Sequence, residues 1–167
     1  AHTQEFKNGN VVGGDTLLSK SISGGERSGA VLSDGLGSGI RENVLSTLTA
    51  SMAMNYMLHK RPLTESLSTI LDTLPEDAGE KISYATCSMF DIDRNGEAHI
   101  VEYDNPDYIL LRGNRHFETR KKSAKIKTRQ GIRSMLESRV MLFKGYIYNY
   151  PTATEIYTLP LPAALPS

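Results

Sequence analysis

The chain has 167 residues, with 19 basic and 19 acidic side chains that cancel to a formal net charge of zero, 39% hydrophobic residues and one cysteine. This suits one globular domain with a real core, since about two-thirds of the unfolded surface is buried at this size. It excludes an internal disulfide, because Cys87 has no partner, and a spanning helix, because no stretch approaches the roughly 18 apolar residues that a bilayer requires.

Ala1-His2-Thr3-Gln4-Glu5 lacks the charged and apolar regions of a signal peptide, and with the lone cysteine this leads us to expect a cytoplasmic location and no membrane partner. Charge is unevenly divided. Residues 1–111 carry 16 acids and 8 bases, a net of −8, and residues 112–167 carry 3 acids and 11 bases, a net of +8.

A polar leading segment closes at Asn8-Gly9-Asn10. Gly13-Gly14-Asp15 then opens a strand-like run to Ile22, with Leu18 and Ile22 on one face. Ser23-Gly24-Gly25-Glu26 reads as a hairpin turn, and its partner strand runs from Gly29 to Ser33. That pairing brings Asp15 and Asp34 to one sheet edge. Like charges meeting there repel unless a cation sits between them.

Asp34 ends its strand and leads into Gly35-Leu36-Gly37-Ser38-Gly39, and a helical pattern starts near Ile40. A glycine carbonyl can approach an ion closely, so Asp34, Asp15 and the Gly35 carbonyl are candidate oxygen ligands for a hard divalent cation. The glycines match neither the dinucleotide fingerprint nor a P-loop. Spacing alone does not choose between a metal site and a tight strand-to-helix turn with Asp34 as a solvated cap.

The helix runs from Ile40 to His59. Ile40, Val44, Leu48, Met52 and Tyr56 recur every fourth residue and are its expected core stripe. Arg61-Pro62 stops it. Thr64 is expected to cap a second helix, with Leu67, Ile70, Leu71 and Leu74 inward. Strand-like runs follow at Ile82–Ile92, Ala98–Tyr103 and Tyr108–Leu111, with Asn95-Gly96 as a hairpin signal. Strands, then helices, then strands indicate an α+β class with antiparallel sheets.

Asp91-x-Asp93-x-Asn95-Gly96 with Glu102 matches an EF-hand loop, but both flanks are strand-like, so calcium binding ranks last. Asp104-Asn105-Pro106-Asp107 is a turn by composition. The four histidines form no zinc motif, and Cys87 suits a small core filler better than a nucleophile. Arg120 to Arg129 reads as a solvated basic face. It lacks the interleaved aromatics of a nucleic-acid site. Ser134–Ser138 reads as helical and Arg139–Phe143 as a strand.

Gly14-Asp15, Leu32-Ser33-Asp34-Gly35-Leu36-Gly37-Ser38-Gly39, Ser83-Tyr84-Ala85-Thr86 and Glu102-Tyr103-Asp104-Asn105-Pro106 together resemble the stage II sporulation protein E branch of the metal-dependent (PPM) Ser/Thr protein phosphatases. The likeness runs from about Gly9 to about Gly113. It implies a four-layer α-β-β-α sandwich of antiparallel sheets and hydrolysis of phosphoserine or phosphothreonine on a phosphorylated regulatory protein, with Mg²⁺ or Mn²⁺. By the match, Asp34 bridges two metals, the Gly35 carbonyl binds one of them, Asp15 holds that metal's waters, and Ser33 and Ser38 shape the turn. In the family a turn at this place borders the site, which makes Asp104 and Asn105 site candidates, although Asx-type capping of the turn is the better account of both. A homodimer is left open.

Past Gly113 the resemblance weakens. The family carries two later carboxylates that complete the second metal's coordination, whereas no aspartate follows Asp107. We therefore expect a C-terminally incomplete phosphatase-like domain over 1–145 and a divergent Pro-rich tail over 146–167, with impaired activity. The alternative is a catalytically inactive binding or regulatory module on the same fold.

Overall fold

The computed structural model describes residues 13–35, 39–74, 85–112, 115–142, 145–149 and 156–157. β1 (Asp15–Ile22) turns through a short 3-10 segment at Ser23–Gly25 into β2 (Arg27–Asp34). Two helices follow, α1 (Ile40–Leu58) and α2 (Leu63–Thr73). The remaining strands are β3 (Cys87–Asp93), β4 (Glu97–Tyr103), β5 (Tyr108–Arg112), β6 (Arg115–Phe117), β7 (Lys121–Thr128), β8 (Gly131–Met141), β9 (Gly145–Asn149) and β10 (Ile156–Tyr157).

One sheet has the order β1-β2-β3-β4-β8-β7 and the other β10-β9-β5-β6. Every pairing is antiparallel. Strand alternation gives the larger sheet two apolar faces. Val31, Met89, Val101 and Met135 meet Met54 and Met57 of α1 and Leu67 and Ile70 of α2. On the opposite face Ala30, Phe90, Ile100 and Val140 meet Tyr108 and Leu110 of β5. Phe90 and Tyr108 join the sheets edge to face, with ring centroids 6.1 Å apart. The class is α+β, and the order helices, sheet, sheet accounts for three layers among the described residues. Within those residues no helix is long and apolar enough to cross a membrane.

Three expectations change. The stripe expected to face the core on α1 faces outward at its start: Ile40, Val44 and Leu48 are exposed, Ile40 at 77%. Ser46, Thr49, Ala50 and Ala53 are buried instead. The reason is proximity. The Thr16 hydroxyl lies 2.9 Å from Ser46 Oγ, which leaves no room for large apolar side chains between the start of α1 and β1. Ser134–Ser138 is strand, because β8 pairs with both β4 and β7 along its length. The second helix begins at Leu63, one residue before Thr64, and Ser66 N–H donates to the Pro62 carbonyl at 3.0 Å. Gly145–Asn149, which straddles the boundary drawn above between 1–145 and 146–167, pairs with β5 as a strand of the second sheet.

The EF-hand match is accounted for otherwise. Asp91 is ion-paired to Arg27. Asp93 Oδ1 accepts the Asn95 and Glu97 N–H groups at 2.8 and 2.9 Å, closing the hairpin turn.

Candidate metal centre

Asp15 and Asp34 are register partners at the open end of the β1–β2 pair. Residues directly opposite in an antiparallel pair point to the same face. Leu18 and Val31, three positions along each strand, contact the helices. Both aspartates therefore face the other way, toward the second sheet. Among the described residues no lysine or arginine ion-pairs with Asp34.

The first turn of α1 clasps both strand ends. Asn43 Nδ2 donates to the Gly13 carbonyl at 2.8 Å. Gly35 is buried, and a Cβ there would lie 2.2 Å from the Glu42 carbonyl oxygen and 2.8 Å from that of Gly14. Helix packing, before any ion, thus requires glycine next to Asp34. Leu36, Gly37 and Ser38 lie outside the described residues.

Sequence reasoning placed Ser33 in the turn and Asn105 beside the site but gave no role to Thr86 or Ser88, which join them in a polar chain that holds Asp34 from behind. The Asp34 N–H donates to Thr86 Oγ1 at 3.0 Å, and the Thr86 N–H returns to the Asp34 carbonyl at 2.9 Å. The Thr86 hydroxyl donates to Asn105 Oδ1, and Asn105 Nδ2 donates to Ser88 Oγ at 2.8 Å. Ser33 Oγ adds a bond to the Thr86 carbonyl at 2.7 Å. Each donor feeds the next acceptor, so the bonds reinforce one another in a dry setting. Ser33 and Thr86 are buried. The available signal was Thr86 in its quoted word and Asn105 in the turn. Asp104 at the same turn is exposed and adopts φ 52°.

Thr86→Val keeps the shape and removes the hydroxyl, leaving the Asp34 N–H and Asn105 Oδ1 without their partner. We expect a loss of about 1–3 kcal/mol. A urea midpoint unchanged from the parent chain would contradict it.

The donors fit a hard cation. Two carboxylates and a carbonyl are oxygen ligands of the kind magnesium and manganese accept. Among the described residues no group of three His, Cys, Asp or Glu side chains is placed to hold a metal ion. Cys87 is buried, and burial pushes its thiol up to about 12, so it offers no thiolate nucleophile.

The family model for stage II sporulation protein E (SpoIIE) matches residues 24–127. No curated protein sequence matches the chain. Among solved structures, RsbX in complex with magnesium is 17% identical, with 87% of this chain and 69% of that chain covered at a TM-score of 0.64. The PP2C phosphatase domain with a regulatory-domain fragment of SpoIIE from Bacillus subtilis is 18% identical, with 88% and 43% covered at 0.67. The RsbU and RsbW domains of a Mycobacterium tuberculosis protein are 17% identical, with 84% and 40% covered at 0.61. The chain thus spans less than half of the last two. At these identities the likeness establishes the fold.

Proposed function

The chain belongs to the stage II sporulation protein E family, a branch of the PPM-type phosphatases, and on that premise we propose that it is a metal-dependent phosphoserine/phosphothreonine protein phosphatase domain. The observation that carries the reading is the Asp15–Asp34 register pair, facing the second sheet at an open sheet end.

In this reading Asp34 and Asp15 hold Mg²⁺ or Mn²⁺ together with the Gly35 carbonyl. The ion, when bound, lowers the pKa of its water and offsets charge on the phosphoryl oxygens. The protein's own work is placement. Thr86 and Asn105 fix the backbone of Asp34, while Asn43 and the packed Gly35 fix the two strand ends. No side-chain nucleophile is required. The substrate is a phosphorylated regulatory protein.

The test is release of para-nitrophenol from para-nitrophenyl phosphate with manganese added and withdrawn. Activity indifferent to manganese would refute the reading. Calorimetric titration is expected to show one strong manganese site, because only two described carboxylates converge. Two tight sites would contradict that. Capture of a phosphoprotein without phosphate release would instead make the chain a catalytically inactive binding module on the same fold.

A further inference from the structure

We propose that the free edge of β7 is a docking site for an extended acidic segment of a partner protein, which adds to the sheet as a further strand. Among the described residues β7 is the terminal strand of the larger sheet, paired to β8 on one side only. The Ser68 hydroxyl donates to the Lys127 carbonyl at 2.6 Å, so that carbonyl points away from β8. In an antiparallel strand the outward pairs of N–H and C=O recur every second residue. Ser123 and Lys125 therefore also turn their main-chain groups outward. α2 covers the far end of this edge, taking the Lys127 carbonyl through Ser68 and accepting the Arg129 N–H on Asp72 Oδ1 at 2.6 Å, so the stretch on offer is the one around Ser123 and Lys125.

Charge selects the occupant. Ser123, Lys125 and Lys127 are exposed and, by alternation, share one face of the strand. Among the described residues no carboxylate ion-pairs with Lys122, Lys125 or Lys127. Their register partners on β8 are Glu137, Ser134 and Ile132, and Glu137 is bonded to His99. An open edge strand is a pairing hazard, and lysines prevent two copies from joining edge to edge. The same lysines favour a strand with acids at alternate positions, so one feature rejects self and attracts the complement. A nucleic acid is less well matched. The exposed edge carries no aromatic ring on which a base could stack, and its open main-chain donors and acceptors suit a peptide.

This docking site is independent of the phosphatase reading, and its test does not use phosphate release. A short fluorescein-labelled peptide alternating glutamate with threonine is titrated with the full chain, and anisotropy is read. Controls are the same peptide with lysine for glutamate, and labelled oligothymidine. The acidic peptide is expected to bind and the basic one not. The exposed double substitution Lys125→Gln/Lys127→Gln is expected to weaken binding by about tenfold or more. Ser123→Pro, which removes one outward N–H and no bond to β8, is expected to weaken it as well. If Ser123→Pro misfolds by circular dichroism, the glutamine pair decides. Absent binding, equal binding of both peptides, tighter binding of oligothymidine, or full binding by the glutamine pair each overturns the proposal.

Discussion

Asp34→Ala is expected to lower manganese-dependent phosphate release by roughly two orders of magnitude or more, the scale on which removal of one charge-stabilising group from a reaction centre is felt. A second, opposite effect separates a metal ligand from a structural carboxylate. Without metal, Asp15 and Asp34 are like charges at partnered positions, which is destabilising. Removing the Asp34 carboxylate, with which no lysine or arginine ion-pairs among the described residues, should leave the metal-free protein as stable or slightly more so. Manganese raises the thermal midpoint of the parent by binding the folded state alone, and that rise should vanish in the variant. Lost activity with an intact manganese-induced rise would place the ion elsewhere. A large fall in metal-free stability would make Asp34 a structural residue.

The Asp15–Asp34 meeting was legible because it rests on local chemistry. A short turn rich in glycine joins two strands, and counting back from it sets the register. The glycine after Asp34 was legible too, although the reason differs. Gly35 is needed for the approach of α1, which no reading of that stretch by itself reveals.

The face of α1 was misread because hydrophobic periodicity assumes that the largest apolar side chains are the buried ones. Close to β1 the helix admits only small residues, and Ser46, Ala50 and Ala53 take the inner positions. The strand at Ser134–Ser138 was missed for a related reason. Its residues tolerate either conformation, and pairing on both sides decided it. The support behind Asp34 was hidden by distance in sequence. Ser33, the Thr86–Ser88 stretch and Asn105 come from three separate segments, and only the assembled sheet joins them.

The same limit hid a buried carboxylate, Glu102, and the largely buried cation that pairs with it, which together yield the largest expected change in stability. Glu102 is 3% exposed, and Lys121 Nζ lies 2.9 Å from its Oε2 and 2.7 Å from Asp107 Oδ1. The ammonium also sits 4.3 Å from the centroid of the Tyr108 ring. Burial raises the Glu102 pKa, and the hydrogen bond and charge of Lys121 oppose that rise. For Lys121, burial works against the charge, but its bonds to Asp107 and Glu102 win and its pKa is raised. Lys121→Met would leave Glu102 buried without its cation, at a cost of about 3–5 kcal/mol near neutral pH. The sign with pH follows from the carboxyl. A raised folded pKa means that the contribution of Glu102 is fully present below its unfolded value, about 4.3, and is lost as pH rises through the folded value. The variant lacks the cation that restrains this loss. Its deficit against the parent should therefore be small in acid and widen as pH rises, as read from urea midpoints across that range. Glu102→Gln in the same chain keeps an acceptor for the Tyr108 N–H, which now donates to Glu102 Oε1 at 3.3 Å, and removes the charge. The double variant should recover most of the loss and show little dependence on pH in the carboxyl range. A deficit of equal size at every pH would mean that lost packing against Tyr108, rather than a stranded charge, sets the cost.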